Sequence, residues 1–193
     1  PITTPTVTIA QGVAVVSGAS QTFMATYVLT SAATEGIASL SIAFRDLASN
    51  PGVTVTSVTD GSAVTIDLTA PTLTSVTMSS DNAGYPSRAN VGDKITVVIK
   101  ANEAITGVSA MIAGQTATMS GSGTSYTAVY TIVSGVGGVS SDGLASLVID
   151  FQDMASNAGA QQNSTTDGSG VTIDLTAPKL TTVTIVSNNA GNG

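Results

Sequence analysis

Cysteine, histidine and tryptophan are all absent from the 193 residues. Without cysteine there is no disulfide, no thiolate metal ligand and no thiol nucleophile. Without histidine the usual general base and the commonest transition-metal ligand are both missing. Charge is scarce as well: 9% of residues are charged, against roughly 25% in ordinary globular chains. Lysine and arginine total five and form no run, which argues against nucleic acid, whose phosphates need clustered cations. Aromatic residues are only 4%, so the aromatic platforms that dominate glycan and protein hot spots are thin. Mean hydropathy is positive, +0.36, yet no apolar run approaches the roughly 18 residues that span a bilayer. No membrane insertion is expected within the segment. Pro1 opens the chain without a basic stretch or a signal-like apolar run, so any export signal is expected outside it.

What the chain has is repetition. Val64-Thr65-Ile66-Asp67-Leu68-Thr69-Ala70-Pro71 recurs 107 positions later as Val171 to Pro178. Apolar and polar residues alternate in it with the period of a half-buried strand, and proline ends the ladder because it has no N–H to donate. Gly36-Ile37-Ala38-Ser39-Leu40 recurs as Gly143 to Leu147, and Phe44-Arg45-Asp46-Leu47-Ala48-Ser49-Asn50 as Phe151 to Asn157, at the same offset. Nearer the start the offset is 103: Ile9 matches Ile112, Phe23 matches Tyr126 and Tyr27 matches Tyr130. The change of four falls between Ser31 and Gly36, where the second copy has the longer, glycine-rich Ser134 to Gly143, and marks a surface loop.

The fold expected is all-β: tandem immunoglobulin-like sandwiches with about seven strands per repeat and a repeat of about 107 residues. Residues 71–177 are expected to be one complete unit, with strands near 72–79, 92–101, 105–113, 115–120, 124–133, 143–152 and 169–176. Residues 1–70 then form a partial unit without its first two strands, A and B, and 178–193 the first strand of a following unit. Either the chain is a window of a longer array, or a neighbouring copy completes the first unit by donating a strand. The window is favoured, because a tail such as 178–193 supplies strand A and leaves strand B missing. The long, nearly uncharged strands lack the lysine and glutamate that blunt sheet edges, so packing against neighbouring copies is expected, head to tail or edge to edge.

These residues resemble the bacterial immunoglobulin-like repeats of giant adhesins and other microbial surface and filament proteins. The resemblance rests on Ile-Asp-Leu-Thr-Ala-Pro at 66–71 and 173–178, Val91-Gly92-Asp93, Asn102-Glu103-Ala104, and Phe-x-Asp-x-Ala-Ser-Asn at 44–50 and 151–157. It implies export to the cell surface, tandem arrays, Ca²⁺ at the joints in many members, and no catalysis. One departure is that such arrays are often richer in aspartate; here Asp81 becomes Asn188 in the next copy.

Ten Asp and two Glu against five cations favour bound cations. The strand connectivity of a sandwich is expected to bring Glu103, Asp153 and Asn157 to the joint bearing Asp67. Ca²⁺ accepts six to eight hard oxygens, carbonyls and water among them, and three carboxylates with an amide suffice. Asp46 and Asn50 would serve the preceding joint and Asp174 the next. The competing reading makes Asp and Asn ordinary turn residues bonding their own backbone.

An enzyme is not expected, since a Ser-Lys pair would have to use Lys94, Lys100 or Lys179, all in or beside strands. The same lysines permit a Lys–Asn isopeptide crosslink, a less economical reading than a solvated strand lysine. The expected function is structural: a segment of an extracellular stalk, surface layer, filament or adhesin. The alternative is an adhesion module binding a ligand or glycan through its loops, against which stands the near-identity of the loops in both copies.

Overall fold

The computed structural model describes residues 1–133, 135 and 138–187, and among them it contains strands and no helix. The chain forms two compact units. One comprises residues 1–71 with 152–159; the other comprises 72–151 with 160–193.

In the first unit the strands are β1 (Thr6–Ile9), β2 (Gly12–Val13), β3 (Val15–Ala19), β4 (Thr22–Thr26), β5 (Gly36–Ile37), β6 (Leu40–Ala43) and β7 (Thr65–Ile66). They pair as a three-stranded sheet β2-β1-β6, a hairpin β3-β4 and a short pair β5-β7, all antiparallel. Burial in it is thin: Val7, Ala14 and Ile66 are its buried hydrophobic residues, while Phe23, Leu40, Ile42 and Phe44 are only half-buried.

The second unit continues with β8 (Leu73–Ser80), β9 (Arg88–Ala89), β10 (Lys94–Ala101), β11 (Ile105–Ile112), β12 (Gln115–Thr116), β13 (Thr118–Ser122), β14 (Ser125–Thr131), β15 (Gly143–Leu144), β16 (Leu147–Asp153) and β17 (Thr172–Ile173). A four-stranded sheet β13-β14-β10-β8 and a three-stranded sheet β12-β11-β16 close on one core, in the manner of a β-sandwich. The first sheet contributes Val76, Ile95, Val97, Ile99 and Ala128, and the second Ile105, Ile112, Leu147, Ile149 and Phe151. The small sheet β15-β17-β9 adds Ala89 and Ile173 to the same core. The period of two explains the arrangement: along β10, Ile95, Val97 and Ile99 are fully buried while Lys94, Val98 and Lys100 are exposed.

Four expected strands differ from what the structure shows. The stretch 115–120 is two strands, because β12 pairs with β11 in one sheet and β13 with β14 in the other. The chain changes sheets at the buried Ala117, whose N–H donates to the Ala110 carbonyl. A small side chain leaves room for that crossing, and Ala14 makes the same step between β2 and β3, donating to Val7. The stretch 143–152 divides likewise at Ala145, with β15 paired to β17 and β16 belonging to the sheet of β11. The stretch 169–176 narrows to β17, which lies between β15 and the parallel β9, each only two residues long, so the ladder can extend no further. Residues 178–187 carry no strand, and the rest of that expected strand lies outside the described residues.

A single side chain on β10 measures the inward face. Ile99→Ala is expected to cost about 2–5 kcal/mol, whereas Val98→Ala, on the 39% exposed side of the same strand, costs well under half of that. Urea unfolding of the two variants checks the ranking.

Candidate metal centre

The sequence Asp-x-Ala-Ser-Asn builds the same closed turn twice. In the turn after β16, the Asn157 backbone N–H donates to Asp153 Oδ1 at 2.8 Å and the Asn157 Nδ2 donates to Oδ2 at 2.7 Å. The backbone closes around them: Asp153 N donates to Asn157 O at 3.1 Å and Ser156 N to Asp153 O at 3.3 Å. Ser156 has φ of 74°, in the left-handed region, which the side-chain bonds hold in place. The first copy repeats this, with Asn50 N and Nδ2 both 2.8 Å from Asp46 and Ser49 at φ 70°.

Asp153 is buried, with 1% of its surface exposed. Burial pushes its carboxyl up, but the Asn157 side chain and the N–H groups of Asn157, Ala155 and Ser156 outweigh that and hold it below the ordinary aspartate range. The hydrogen bonds of Asn50, side chain and backbone, do the same for Asp46. The turn places hydrogen bonds on both carboxylate oxygens of Asp153 and leaves lone pairs on each for a further partner.

Asp67 joins this turn in the first compact unit. Its backbone carbonyl accepts from Asn157 Nδ2 at 3.0 Å, and a carboxylate oxygen of each of Asp67 and Asp153 lies within 4.8 Å of the other. Asp67 Oδ1 also accepts from Thr69 N at 3.1 Å, a local turn that Asp174 repeats with Thr176 at 3.1 Å. Glu103 belongs to the second unit, half-buried, where its Oε1 accepts from the side chain of Asn102 at 3.2 Å. Asp46, Asn50 and Asp174 enter no cluster of three acidic groups among the described residues. Two carboxylates at a separation of this order match hard-cation chemistry and fall short of a complete shell, which carbonyls and water would fill.

Two acidic residues that sequence reasoning passed over hold the ends of the octapeptides. Glu35 Oε1 accepts from Leu68 N at 2.9 Å and from Thr69 Oγ1 at 2.6 Å. Asp142 accepts from Leu175 N at 2.6 Å and from Thr176 Oγ1 at 2.7 Å. Both carboxyls lie below their ordinary ranges, Glu35 through the Thr69 hydroxyl and then the Leu68 N–H, Asp142 through the Leu175 N–H and then the Thr176 hydroxyl. The signal was present in the repeat: position 35 plus the offset of 107 is position 142, an acid kept at the end of a loop that otherwise changes length.

No protein-family model matches the chain, and no curated protein matches it significantly.

These carboxyls contribute to the pH response, together with Asp60, Asp93 and Asp167, which hydrogen bonds also hold low. Glu35, Asp46, Asp142 and Asp153 all titrate lower in the folded chain than in the unfolded one. Their contribution is complete above the unfolded pKa values and disappears as pH falls through the folded ones. Melting temperature is expected to stay level down to about pH 5 and to drop below it. In the Asp142→Ala variant the drop is shallower and starts from a lower neutral-pH value; an unchanged acid limb would remove Asp142 from this account.

Proposed function

We propose that this chain is a structural segment of an extracellular repeat protein, a stalk, filament, surface-layer or adhesin component built from tandem immunoglobulin-like sandwiches. The observation that carries the reading is that both copies rebuild the same local devices. The closed Asp-x-x-x-Asn turn and the acid that holds the octapeptide each occur twice, with matching partners and distances. A dedicated binding unit would differ from its neighbour in its loops; a load-bearing repeat conserves its ends. The sparse charge and the absence of histidine and cysteine support a non-catalytic role, and the resemblance to bacterial surface repeats supports a place outside the cell. Partners in this reading are other copies or repeats of the same protein.

The proposal includes Ca²⁺ as the ion of the joint that follows Leu68, with Asp67, Asp153 and Asn157 as ligands. Glu103, which the sequence reading put in the same set, keeps that role as part of the proposal. A cation there neutralises carboxylates that repel one another and ties separate stretches of chain together, so the folded state gains free energy whenever the ion is present.

At a hundred times the Kd, binding contributes about 2.7 kcal/mol, which raises the melting temperature of a chain this size by roughly 5–10 °C. Calcium added to the 193-residue protein is expected to give that rise, EDTA to reverse it, and Asp67→Asn combined with Glu103→Gln to abolish it without lowering the metal-free melting point. Identical melts with calcium and with EDTA would leave these residues as turn formers alone.

A further inference from the structure

We propose that the outer edge of β13 (Thr118–Ser122) is a self-association site, at which two copies of this chain pair antiparallel about a two-fold axis through Ser120. This rests on the reading of the chain as a repeat protein that associates with its own kind, and it names the contact and its register.

β13 is the uncovered edge of the second unit. Among the described residues it pairs with β14 on one side and with no strand on the other. The other long edges are closed. β8, at the far side of the same sheet, is held by the loop before β17: Val76 N donates to Thr166 Oγ1 at 2.9 Å and Met78 N to Ser169 Oγ at 2.8 Å. Along β16, Ile149 N donates to Gln162 O at 2.9 Å and Gln162 N to Ile149 O at 3.0 Å. Sheet edges are normally blunted by charge, proline or a covering segment, and the Thr-Met-Ser-Gly-Ser of β13 has neither charge nor proline.

The distribution of charge says which partner fits. Residues 104–141 hold no Asp, Glu, Lys or Arg, and neither do residues 1–34, so the side chains behind the net charge of −7 all lie in the rest of the chain. β11 to β14 fall inside the uncharged stretch. Copies of an acidic chain repel one another where their charged parts meet, and this edge is where they approach without that repulsion. A charged partner finds nothing to pair with here, whereas a second neutral edge does. The first unit rebuilds the same edge in β3 (Val15–Ala19), with the same order of exposure and with Gly18 at φ 118° where β13 has Gly121 at φ 113°.

The register follows from the hairpin. Ser122 pairs with Ser125 across a tight loop, so by the alternation of an antiparallel ladder Ser122, Ser120 and Thr118 turn their main-chain groups to β14, while Met119 and Gly121 turn theirs outward. A partner edge set two-fold about Ser120 brings Met119 opposite Gly121 of the second copy and Gly121 opposite Met119, and every one of those outward N–H and C=O groups gains a hydrogen bond. Thr118, Ser120 and Ser122 are exposed and form a ladder of hydroxyls across the junction, Ser120 on Ser120 and Thr118 on Ser122. Met119, packed on the core side, meets a glycine with no side chain to obstruct it. The same patch serves both copies, which makes the contact isologous.

Sedimentation of the 193-residue protein over rising concentration, in calcium and in EDTA, tests this together with disulfide trapping. Association is expected in both buffers, since the contact uses backbone and hydroxyls and no ion. Ser17→Lys with Ser120→Lys, at exposed positions on the two edges, is expected to weaken it about tenfold and to leave the melting temperature unchanged. Ser17→Glu with Ser120→Glu is expected to do the same, and mixing the two variants to restore association, because like positions face one another. The chain has no cysteine, so Ser120→Cys is expected to give a disulfide-linked dimer on oxidation with diamide, while Ser122→Cys, which faces Thr118, stays largely unlinked. A monomer at every concentration overturns the inference and, with it, the reading that this chain associates with its own kind. Association that survives the lysine substitutions, that needs calcium, that mixing fails to restore, or in which Ser122→Cys links as readily as Ser120→Cys overturns the inference alone.

Discussion

Ile95, Val97 and Ile99 on β10 are the constraint on which the second unit depends. All three are fully buried, and β10 is flanked on both edges, by β14 in register from Lys94–Thr131 to Lys100–Ser125 and by β8 along almost its whole length. A strand so placed fixes the inward face of its neighbours, because a slip of one residue would turn every apolar side chain to water. The opposing sheet then has one surface to cover, and Ile105, Ile112, Ile149 and Phe151 cover it. In the first unit, which has the matching hairpin and turn, Phe23, Leu40, Ile42 and Phe44 are only half-covered.

The strands that carry the core were legible because the signal that places them is local. Alternation marked β8, β10, β11 and β14 to within a residue or two, and the end of β16 to within one. What was not legible depends on partners. Nothing in the run around Ala117 or Ala145 says that the chain changes sheets there, since a crossing is decided by which neighbour offers hydrogen bonds. β9 escaped notice because two residues have no period, and it exists only through its parallel pairing with β17.

The candidate site divides in the same way. The Asp-x-Ala-Ser-Asn turn could be read directly, since both partners lie four residues apart. Asp67 meeting Asn157 could be expected only from the connectivity of a sandwich. Glu35 and Asp142 act across 33 residues on backbone N–H groups, which have no sequence signature, so only the recurrence of an acid at the repeat spacing announced them.

Those two carboxylates also decide how tension would travel. A pull on the chain beyond Thr176 reaches the pair of Asp142 hydrogen bonds, to the Thr176 hydroxyl and the Leu175 N–H, before it reaches the buried Ile173 and Val171. Glu35 holds Thr69 and Leu68 in front of the buried Ile66 in the same order. Each octapeptide is thus closed by one ionised acid and two donors, a latch that a pull along the chain would meet ahead of the buried strand residues.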